Sequence, residues 1–253
     1  MHYALLSDIG KKRSVNEDRV AVFTAPWNKE LLLAIIADGM GGHRGGDYAS
    51  KTAVQLIGQR FNEINQENCQ AVNWEQWLKE AVDEINHHIF DLSLRNEKYK
   101  GMGTTLDIVI RFHQQCFIAH VGDSRVYQWE NKHLKQLTKD HSFVNVLIES
   151  GEITEDEAKN HPNKNWIVRA VGSERRTEVD FLQLKTTIGS VLLMCTDGLT
   201  NKLTDTEIAT IIEQTQTLEE CAHQLVDEAN AKGGEDNISV ILIQMNESEV
   251  DVL

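Results

Sequence analysis

Residues 31–40 read LLLAIIADGM, so that seven consecutive apolar residues run directly into Asp38-Gly39. A membrane span needs about 20 such residues, and this shorter run predicts a strand buried inside a soluble fold. A second stretch, VLLMCTDGL at 191–199, has the same design. Each stretch predicts a strand that ends in a carboxylate followed by glycine, and a strand end is a rigid place from which to project an acid.

Further apolar or alternating runs complete the predicted strands. They lie near 2–7, 18–25, 30–37, 104–112, 115–121, 124–129, 178–184, 190–195 and 237–245. Apolar spacings of three and four predict amphipathic helices over 49–64 and 74–92. Capping boxes at Thr204 with Glu207 and at Thr217 with Glu220 open two more helices. Because strands and helices do not alternate, we expect an α+β fold in which helix pairs cover antiparallel sheets.

The stretch from about 138 to 175 differs from the rest. It is polar and carries a third capping box at Thr154 and Glu157, together with His141 and His161-Pro162. This composition predicts a partly helical insertion that covers another part of the molecule. The alternative is a surface loop without a function. No repeat or low-complexity linker interrupts the chain, which favours one domain.

Composition excludes several classes of function. The 25 Lys and Arg against 39 Asp and Glu give a net charge of −14, which argues against nucleic acid and anionic membranes as partners. The acidic excess serves solubility or reflects carboxylates that hold cations. The N-terminus shows no secretory pattern, and four scattered cysteines neither build a disulfide framework nor close a zinc site. We therefore expect a cytoplasmic protein.

Acidic residues recur where predicted strands begin and end. Glu17-Asp18, Asp123 and Glu235-Asp236 join the two Asp-Gly pairs. A lone Asp-Gly pair is most simply a turn, but carboxylates brought together repel one another unless a cation lies among them. Oxygen ligands without a His or Cys cluster indicate Mg²⁺ or Mn²⁺, as in two-metal hydrolytic sites where a bridging water becomes the nucleophile.

Arg13 is the best-placed cation for a substrate. It lies four residues before Glu17, and a guanidinium grips phosphate with two hydrogen bonds where a lysine cannot. The glycine-rich run at 39–46 lacks both the Walker lysine and the G-x-G-x-x-G spacing. It is interpreted as backbone that wraps a metal.

Six motifs in order make the chain resemble the metal-dependent protein phosphatase family, type 2C, in its compact bacterial form. They are Arg13-Ser14-Val15-Asn16-Glu17-Asp18, Asp38-Gly39-Met40-Gly41-Gly42-His43, Gly101-Met102-Gly103-Thr104-Thr105, Val121-Gly122-Asp123-Ser124-Arg125, Thr196-Asp197-Gly198 and Gly234-Glu235-Asp236-Asn237. The resemblance runs from about residue 3 to residue 245. It implies a β-sandwich of two antiparallel sheets flanked by helix pairs (α-β-β-α), a binuclear Mn²⁺/Mg²⁺ centre between the sheets, and hydrolysis of phosphoserine and phosphothreonine in proteins.

The resemblance also implies a role for each site residue. Asp38 would bridge both metals, the Gly39 carbonyl would bind one of them, and Asp197 and Asp236 would complete the other. The remaining assignments are Glu17 and Asp18 as ligands directly or through water, Arg13 on the substrate phosphate, and Asp123 with Asp197 at a third metal position.

Met40 departs from the pattern of the animal members, which carry a histidine directly after Asp-Gly as the proposed general acid. The nearest histidine here is His43, which either serves the leaving group or bonds locally in its loop.

The resemblance implies one catalytic domain over 1–246, a mobile flap at about 138–174 and an acidic tail at 247–253. Its expected partners are phosphorylated proteins, a serine/threonine kinase and the substrates of that kinase, with the protein acting as a monomer. Two other functions stay open, namely a pseudophosphatase that binds without turnover and a small-molecule phosphatase or phosphodiesterase. The first would be favoured by loss of Asp38, Asp197, Asp236 or Arg13, all of which are present.

Overall fold

A computed structural model describes residues 2–41 and 45–245, which form eleven β-strands and seven α-helices. The strands are β1 (His2–Asp8), β2 (Asp18–Ala25), β3 (Asn28–Met40), β4 (Gly103–Thr104), β5 (Leu106–Phe112), β6 (Gln115–Val121), β7 (Arg125–Glu130), β8 (His133–Gln136), β9 (Asp180–Lys185), β10 (Val191–Cys195) and β11 (Ile238–Gln244). The helices are α1 (Gly45–Asn62), α2 (Trp74–Arg95), α3 (Phe143–Glu149), α4 (Glu155–Lys159), α5 (Asp197–Thr200), α6 (Asp205–Gln214) and α7 (Leu218–Ala231).

The strands form two antiparallel sheets. One sheet has the order β1-β11-β10-β7-β8, and the other has the order β2-β3-β5-β6-β9 with β4 paired to β3. The predicted α+β sandwich is confirmed. Because the chain crosses between the sheets several times, residues distant in sequence meet along one rim of the sandwich.

Three apolar layers hold the sandwich together. Alternate side chains of β3 and β5 face β10 and β11, so that Leu32, Val109 and Ile241 lie between the sheets. The other faces of the sheets pack against helices, α1 and α2 on one side and α6 and α7 on the other. Burial on both faces explains why the central strands are almost continuously apolar. In the described ranges, no helix is long and apolar enough to cross a membrane.

Two strand predictions need correction. β3 continues through Asp38 to Met40 instead of ending at 37, because β4 supplies a partner for Gly39 and Met40. The strand predicted over 104–112 is broken at Thr105, whose backbone N–H donates to the Asp38 carbonyl at 2.8 Å. β8 was not predicted from the sequence, because it is a short edge strand of mostly polar residues.

The helix caps follow the sequence closely. The capping boxes at Thr154 and Thr204 are confirmed, with each threonine and its glutamate bonded reciprocally. The box at Thr217 is only half formed. Its hydroxyl accepts from the Glu220 N–H at 3.1 Å, but the Glu220 carboxylate accepts from the Gln216 N–H instead of from Thr217.

The flap segment, defined here as residues 138–174, carries α3 and α4 between β8 and β9. Its two ends pair with each other, because the Phe143 N–H donates to the Trp166 carbonyl and the Val168 N–H donates to the His141 carbonyl. The predicted partly helical insertion is therefore present. The acidic tail at 247–253 lies outside the described residues.

Candidate metal centre

Asp38 is the central acid of the site. It lies opposite Asp18 in the pairing of β2 and β3, and its backbone is held by Thr105, whose hydroxyl accepts from the Asp38 N–H at 2.9 Å. Burial raises the pKa of Asp38 well above the usual range, and the nearby charges of Asp18, Asp197 and Asp123 raise it further. Like charges placed opposite each other destabilise a sheet, so a cation belongs here.

Asp18 is held by two hydroxyl groups from the other sheet. Its Oδ2 accepts hydrogen bonds from Thr196 at 2.9 Å and from Ser239 at 2.7 Å. Its Oδ1 is buried without a hydrogen-bond partner. Burial raises the pKa of Asp18 to about 7, although the two hydroxyl groups oppose the change. Asp18 therefore joins the two sheets while one oxygen stays free for a ligand.

Asp197 lies just beyond the end of β10, as the sequence predicted. Its Oδ2 accepts from the Asn201 amide at 2.9 Å, and its Oδ1 is buried without a partner. Burial raises the pKa of Asp197 to about 6, and the charge of Asp236 adds to the effect.

Asp236 and Arg13 form the more exposed side of the centre. Arg13 Nη2 donates to Asp236 Oδ2 at 2.7 Å, and the two side chains are 49% and 32% exposed. Burial lowers the pKa of Arg13, but the charges of Asp236, Asp38 and Glu17 outweigh that effect and raise it. The guanidinium therefore sits at the mouth of the acidic cluster.

Glu17 and Gly39 meet at the start of α1. The Glu17 N–H donates to Asn237 Oδ1 at 2.8 Å, and its carbonyl accepts from the Gly39 N–H at 3.2 Å. Glu17 Oε1 is buried and has no hydrogen-bond partner among the described residues. A Cβ on Gly46 would lie 2.6 Å from the Gly39 carbonyl oxygen and 2.7 Å from Glu17 Oε1. The glycine therefore leaves room around both oxygens.

Asp123 lies in the loop between β6 and β7. It is buried, and its Oδ1 has no hydrogen-bond partner. Burial raises its pKa well above the usual range, and the nearby charges of Asp197 and Asp140 add to the effect. The structure therefore brings Asp123 to the same acidic cluster.

The donor set fits a hard divalent cation. Within residues 2–41 and 45–245, four carboxylates of the cluster each leave a buried oxygen without a hydrogen-bond partner, namely Glu17, Asp18, Asp123 and Asp197. In the same ranges, no three or more Asp, Glu, His or Cys side chains lie close enough together to hold a metal ion by themselves. An open set of carboxylates suits Mg²⁺ and similar ions, which keep several water ligands.

The stability of the metal-free protein should depend on pH through these carboxyls. Unfolded aspartates release their protons near a pKa of about 3.9, whereas folded Asp18 and Asp197 hold theirs to about 7 and about 6. The folded state therefore binds more protons over this range. In EDTA, we expect the free energy of unfolding to fall by a few kcal/mol from about pH 5 to about pH 8.

Denaturant unfolding in EDTA at a series of pH values measures this dependence. The matched control is the same series with saturating Mn²⁺, where ionised carboxylates bind the ion and the loss should disappear. If the free energy of unfolding in EDTA increased from about pH 5 to about pH 8, the result would contradict the burial of these carboxyls.

The structure brings together most of the site residues predicted from sequence. Arg13, Glu17, Asp18, Asp38, Gly39, Asp123, Asp197 and Asp236 all contribute to this cluster. His43 lies outside the described residues. Sequence reasoning missed the supporting residues Thr105, Thr196, Asn237 and Ser239. Thr105, Thr196 and Asn237 belong to the quoted motifs, and that position could have identified them as candidates. Ser239 belongs to none of the motifs, so the sequence offered no signal for it.

Comparisons with known proteins agree with the geometry. A sequence profile described as Protein phosphatase 2C matches residues 10–232. The chain is 42% identical to the serine/threonine phosphatase stp of Listeria monocytogenes over 244 residues, 96% of each chain. A solved structure of the S. agalactiae serine/threonine phosphatase superposes with a TM-score of 0.90 at 37% identity, covering 97% of this chain and 99% of that one. The catalytic domain of the phosphatase PstP, solved with two manganese ions, superposes at 0.82 with 31% identity, covering 97% and 98%.

Proposed function

Since the chain belongs to the protein phosphatase 2C family, we propose how its own residues divide the work of hydrolysis. The protein is a metal-dependent serine/threonine phosphatase that acts on phosphoproteins. The observation that carries the assignment of roles is the cluster of buried carboxylates around Asp38, four of which keep an unpartnered oxygen.

Two core ions, Mn²⁺ or Mg²⁺, would be held by this cluster. Asp38 would be a ligand shared by both ions, the Gly39 carbonyl would help to hold one of them, and Asp197 and Asp236 would hold the other. Glu17 and Asp18 would bind directly or through water. The bound ions would supply an activated water and offset the charge of the phosphoryl group. Asp18 would also keep the two sheets aligned at the site, because it accepts hydrogen bonds from Thr196 and Ser239 of the other sheet.

Asp123 would hold a third, weaker ion together with Asp197. Its buried, unpartnered Oδ1 supports this role more than a role in the turn alone. The general acid stays a prediction, with His43 as its candidate.

Arg13 would bind the phosphate of the substrate. Its guanidinium is half exposed at the mouth of the cluster, and only one of its N–H groups is engaged by Asp236. A planar guanidinium with free donors matches the oxygens of a phosphoryl group. The bond to Asp236 keeps the guanidinium turned toward the centre before substrate arrives.

Arg13→Ala should raise KM for a phosphothreonine peptide by about ten- to a hundredfold, the equivalent of ~1.5–3 kcal/mol for a charged hydrogen bond. Arg13→Lys should recover only part of the loss, since the second hydrogen bond is gone. Because Arg13 also contacts Asp236, phosphate release is measured at saturating Mn²⁺. Lys12→Ala, which removes an exposed charge from the neighbouring position, is the matched control and should leave KM unchanged. Wild-type KM in Arg13→Ala would show that the phosphate is held elsewhere.

The wider context is also proposed. The flap segment would border the bound substrate, since a cavity of about 640 Å³ lies between it and the acids Asp123 and Asp197.

A serine/threonine kinase and its targets are the expected partners, and the protein would act as a monomer in the cytoplasm. The four cysteines, all free and buried, support a reducing compartment. To test the pairing with a kinase, the phosphoproteome of cells without this phosphatase is compared with that of cells without the kinase.

A further inference from the structure

Three consecutive residues near the start of the flap segment, Lys139, Asp140 and His141, form hydrogen bonds with residues of the sheets or of the loop between β6 and β7. The Lys139 carbonyl lies 2.9 Å from Nε2 of His120, a buried histidine on β6. The Asp140 carboxylate accepts two hydrogen bonds from Arg125, at 2.9 and 2.7 Å. His141 is bonded to Gly122, the residue directly before Asp123. The first residues of the flap segment are therefore tied to both sheets by hydrogen bonds.

His141 contacts Gly122 through both its backbone and its side chain. The His141 N–H donates to the Gly122 carbonyl at 2.7 Å, and the Gly122 N–H donates to His141 Nδ1 at 3.0 Å. The imidazole is only 9% exposed. Both backbone hydrogen-bonding groups of Gly122 are thus held by one residue of the flap segment.

The two ring nitrogens of His141 contact different parts of the molecule. Nδ1 accepts from the Gly122 N–H, whereas Nε2 lies 2.9 Å from Arg169 Nη1 and 3.3 Å from Asp180 Oδ2. Asp180 is held on its other oxygen by Arg169, at 3.0 Å. Burial lowers the pKa of His141 to about 4, and the charges of His120 and Arg169 lower it further, so the ring is neutral and Nδ1 stays an acceptor.

Gly122 has little freedom on its other side. Its φ is +119°, and a Cβ there would lie 2.6 Å from the Thr105 Cβ. The Thr105 hydroxyl accepts from the Asp38 N–H and lies 2.9 Å from the Ser124 hydroxyl. The residues before and after Asp123 are therefore both fixed, one by His141 and the other through Thr105 and Asp38.

We propose that His141 is a positioning residue for Asp123, holding the loop that carries this carboxylate against the metal centre from the first residues of the flap segment. This inference rests on the proposed role of Asp123 as a metal ligand. The imidazole has its polar contacts with Gly122, Arg169 and Asp180 and not with the acids of the metal centre, so it would act through the Gly122 backbone. The unpartnered Asp123 Oδ1 then depends on this loop for its direction.

Three variants separate the contacts of His141. In His141→Asn, the amide oxygen stands near the position of Nδ1 and can still accept from Gly122. In His141→Gln, the amide reaches toward Asp180 and leaves Gly122 without an acceptor, and His141→Ala removes both contacts. Thr154→Ala, which removes the cap of α4 within the flap segment, is the control for general loosening.

Hydrogen exchange of the Gly122 amide in metal-free protein measures the contact without any turnover. We expect exchange on the order of tenfold faster in His141→Ala and His141→Gln, and close to wild type in His141→Asn and Thr154→Ala. With Mn²⁺ and a phosphothreonine peptide, kcat should follow the same order with KM nearly constant, and the Mn²⁺ concentration for half-maximal rate should rise.

Two results would overturn the proposal. One is Gly122 exchange that is equal in all the variants, and the other is faster exchange in His141→Gln while kcat and the Mn²⁺ dependence stay at the wild-type values. Asp123→Ala, assayed beside them, identifies which idea fails. If Asp123→Ala keeps full kcat, the proposed role of Asp123 falls and the positioning role falls with it. If Asp123→Ala loses activity and His141→Gln does not, only the role of His141 is wrong.

Discussion

Asp38→Asn is expected to lower kcat by several orders of magnitude while the protein remains folded. Asp38 lies within the electrostatic reach of Asp18, Asp123, Asp197 and Asp236, and no other described residue could replace it between them. An amide has nearly the same shape, so the backbone bonds to Thr105 should survive. The amide carries no charge and is a poor ligand for a hard cation. Phosphate release from a phosphothreonine peptide at saturating Mn²⁺ measures the loss.

The stability of Asp38→Asn distinguishes a ligand from a structural residue. In EDTA, its melting temperature should equal or exceed that of the wild type, because the substitution replaces a buried carboxyl, whose ionisation is unfavourable beside the other acids, with a neutral amide. Asp227→Asn, the same change at an exposed position of α7, is the matched control and should alter neither quantity. A large fall in melting temperature together with the loss of kcat would indicate that Asp38 supports the fold.

Removal of divalent metal should abolish turnover, and added Mn²⁺ or Mg²⁺ should restore it. The candidate protein nucleophiles are unsuitable, because all four cysteines are buried. Burial raises the pKa of Cys116 to about 12 and also raises the pKa of Cys195 and Cys221. The acids of the cluster can hold a cation, but the described site contains no base paired with an exposed serine or cysteine.

The measurement is phosphate release after dialysis against EDTA, with metal content checked by elemental analysis. Titration of Mn²⁺ and Mg²⁺ back into the same sample establishes reversibility and the preferred ion. Asp38→Asn serves as the control, since added metal should restore much less of its rate. Full activity in protein shown to be metal-free would refute the metal-dependent mechanism.

The fold could be predicted from sequence because its signals are local. Residues 31–37 and 191–195 are apolar without a break, as expected of strands covered on both faces. The threonine caps at 154 and 204 mark helix starts within one turn of the chain. β8 could not be predicted, because its pairing with β7 comes from the neighbouring strand and its own residues are mostly polar.

Most of the acids that the structure brings together could also be named from the sequence, because six short motifs carry them in order. The residues that hold these acids in place could not be predicted in this way. The hydroxyls of Thr196 and Ser239 reach Asp18 across 178 and 221 residues of chain, and Arg13 reaches Asp236 across 223. Spacing along the chain says nothing about such contacts, since they arise only when the two sheets pack face to face.

The amino-acid sequence by itself determined most of the strands and helices and the carboxylates that could hold a metal, because hydrophobic periodicity, capping and motif order are properties of neighbouring residues. Only the tertiary structure decided how those carboxylates are buried, which of their oxygens stay free, and that His141 holds the backbone beside Asp123. The physical reason is that burial and hydrogen-bond geometry depend on the packing of both sheets and the flap segment. The raised pKa of Asp18 and Asp38 is accordingly a property of the assembled site.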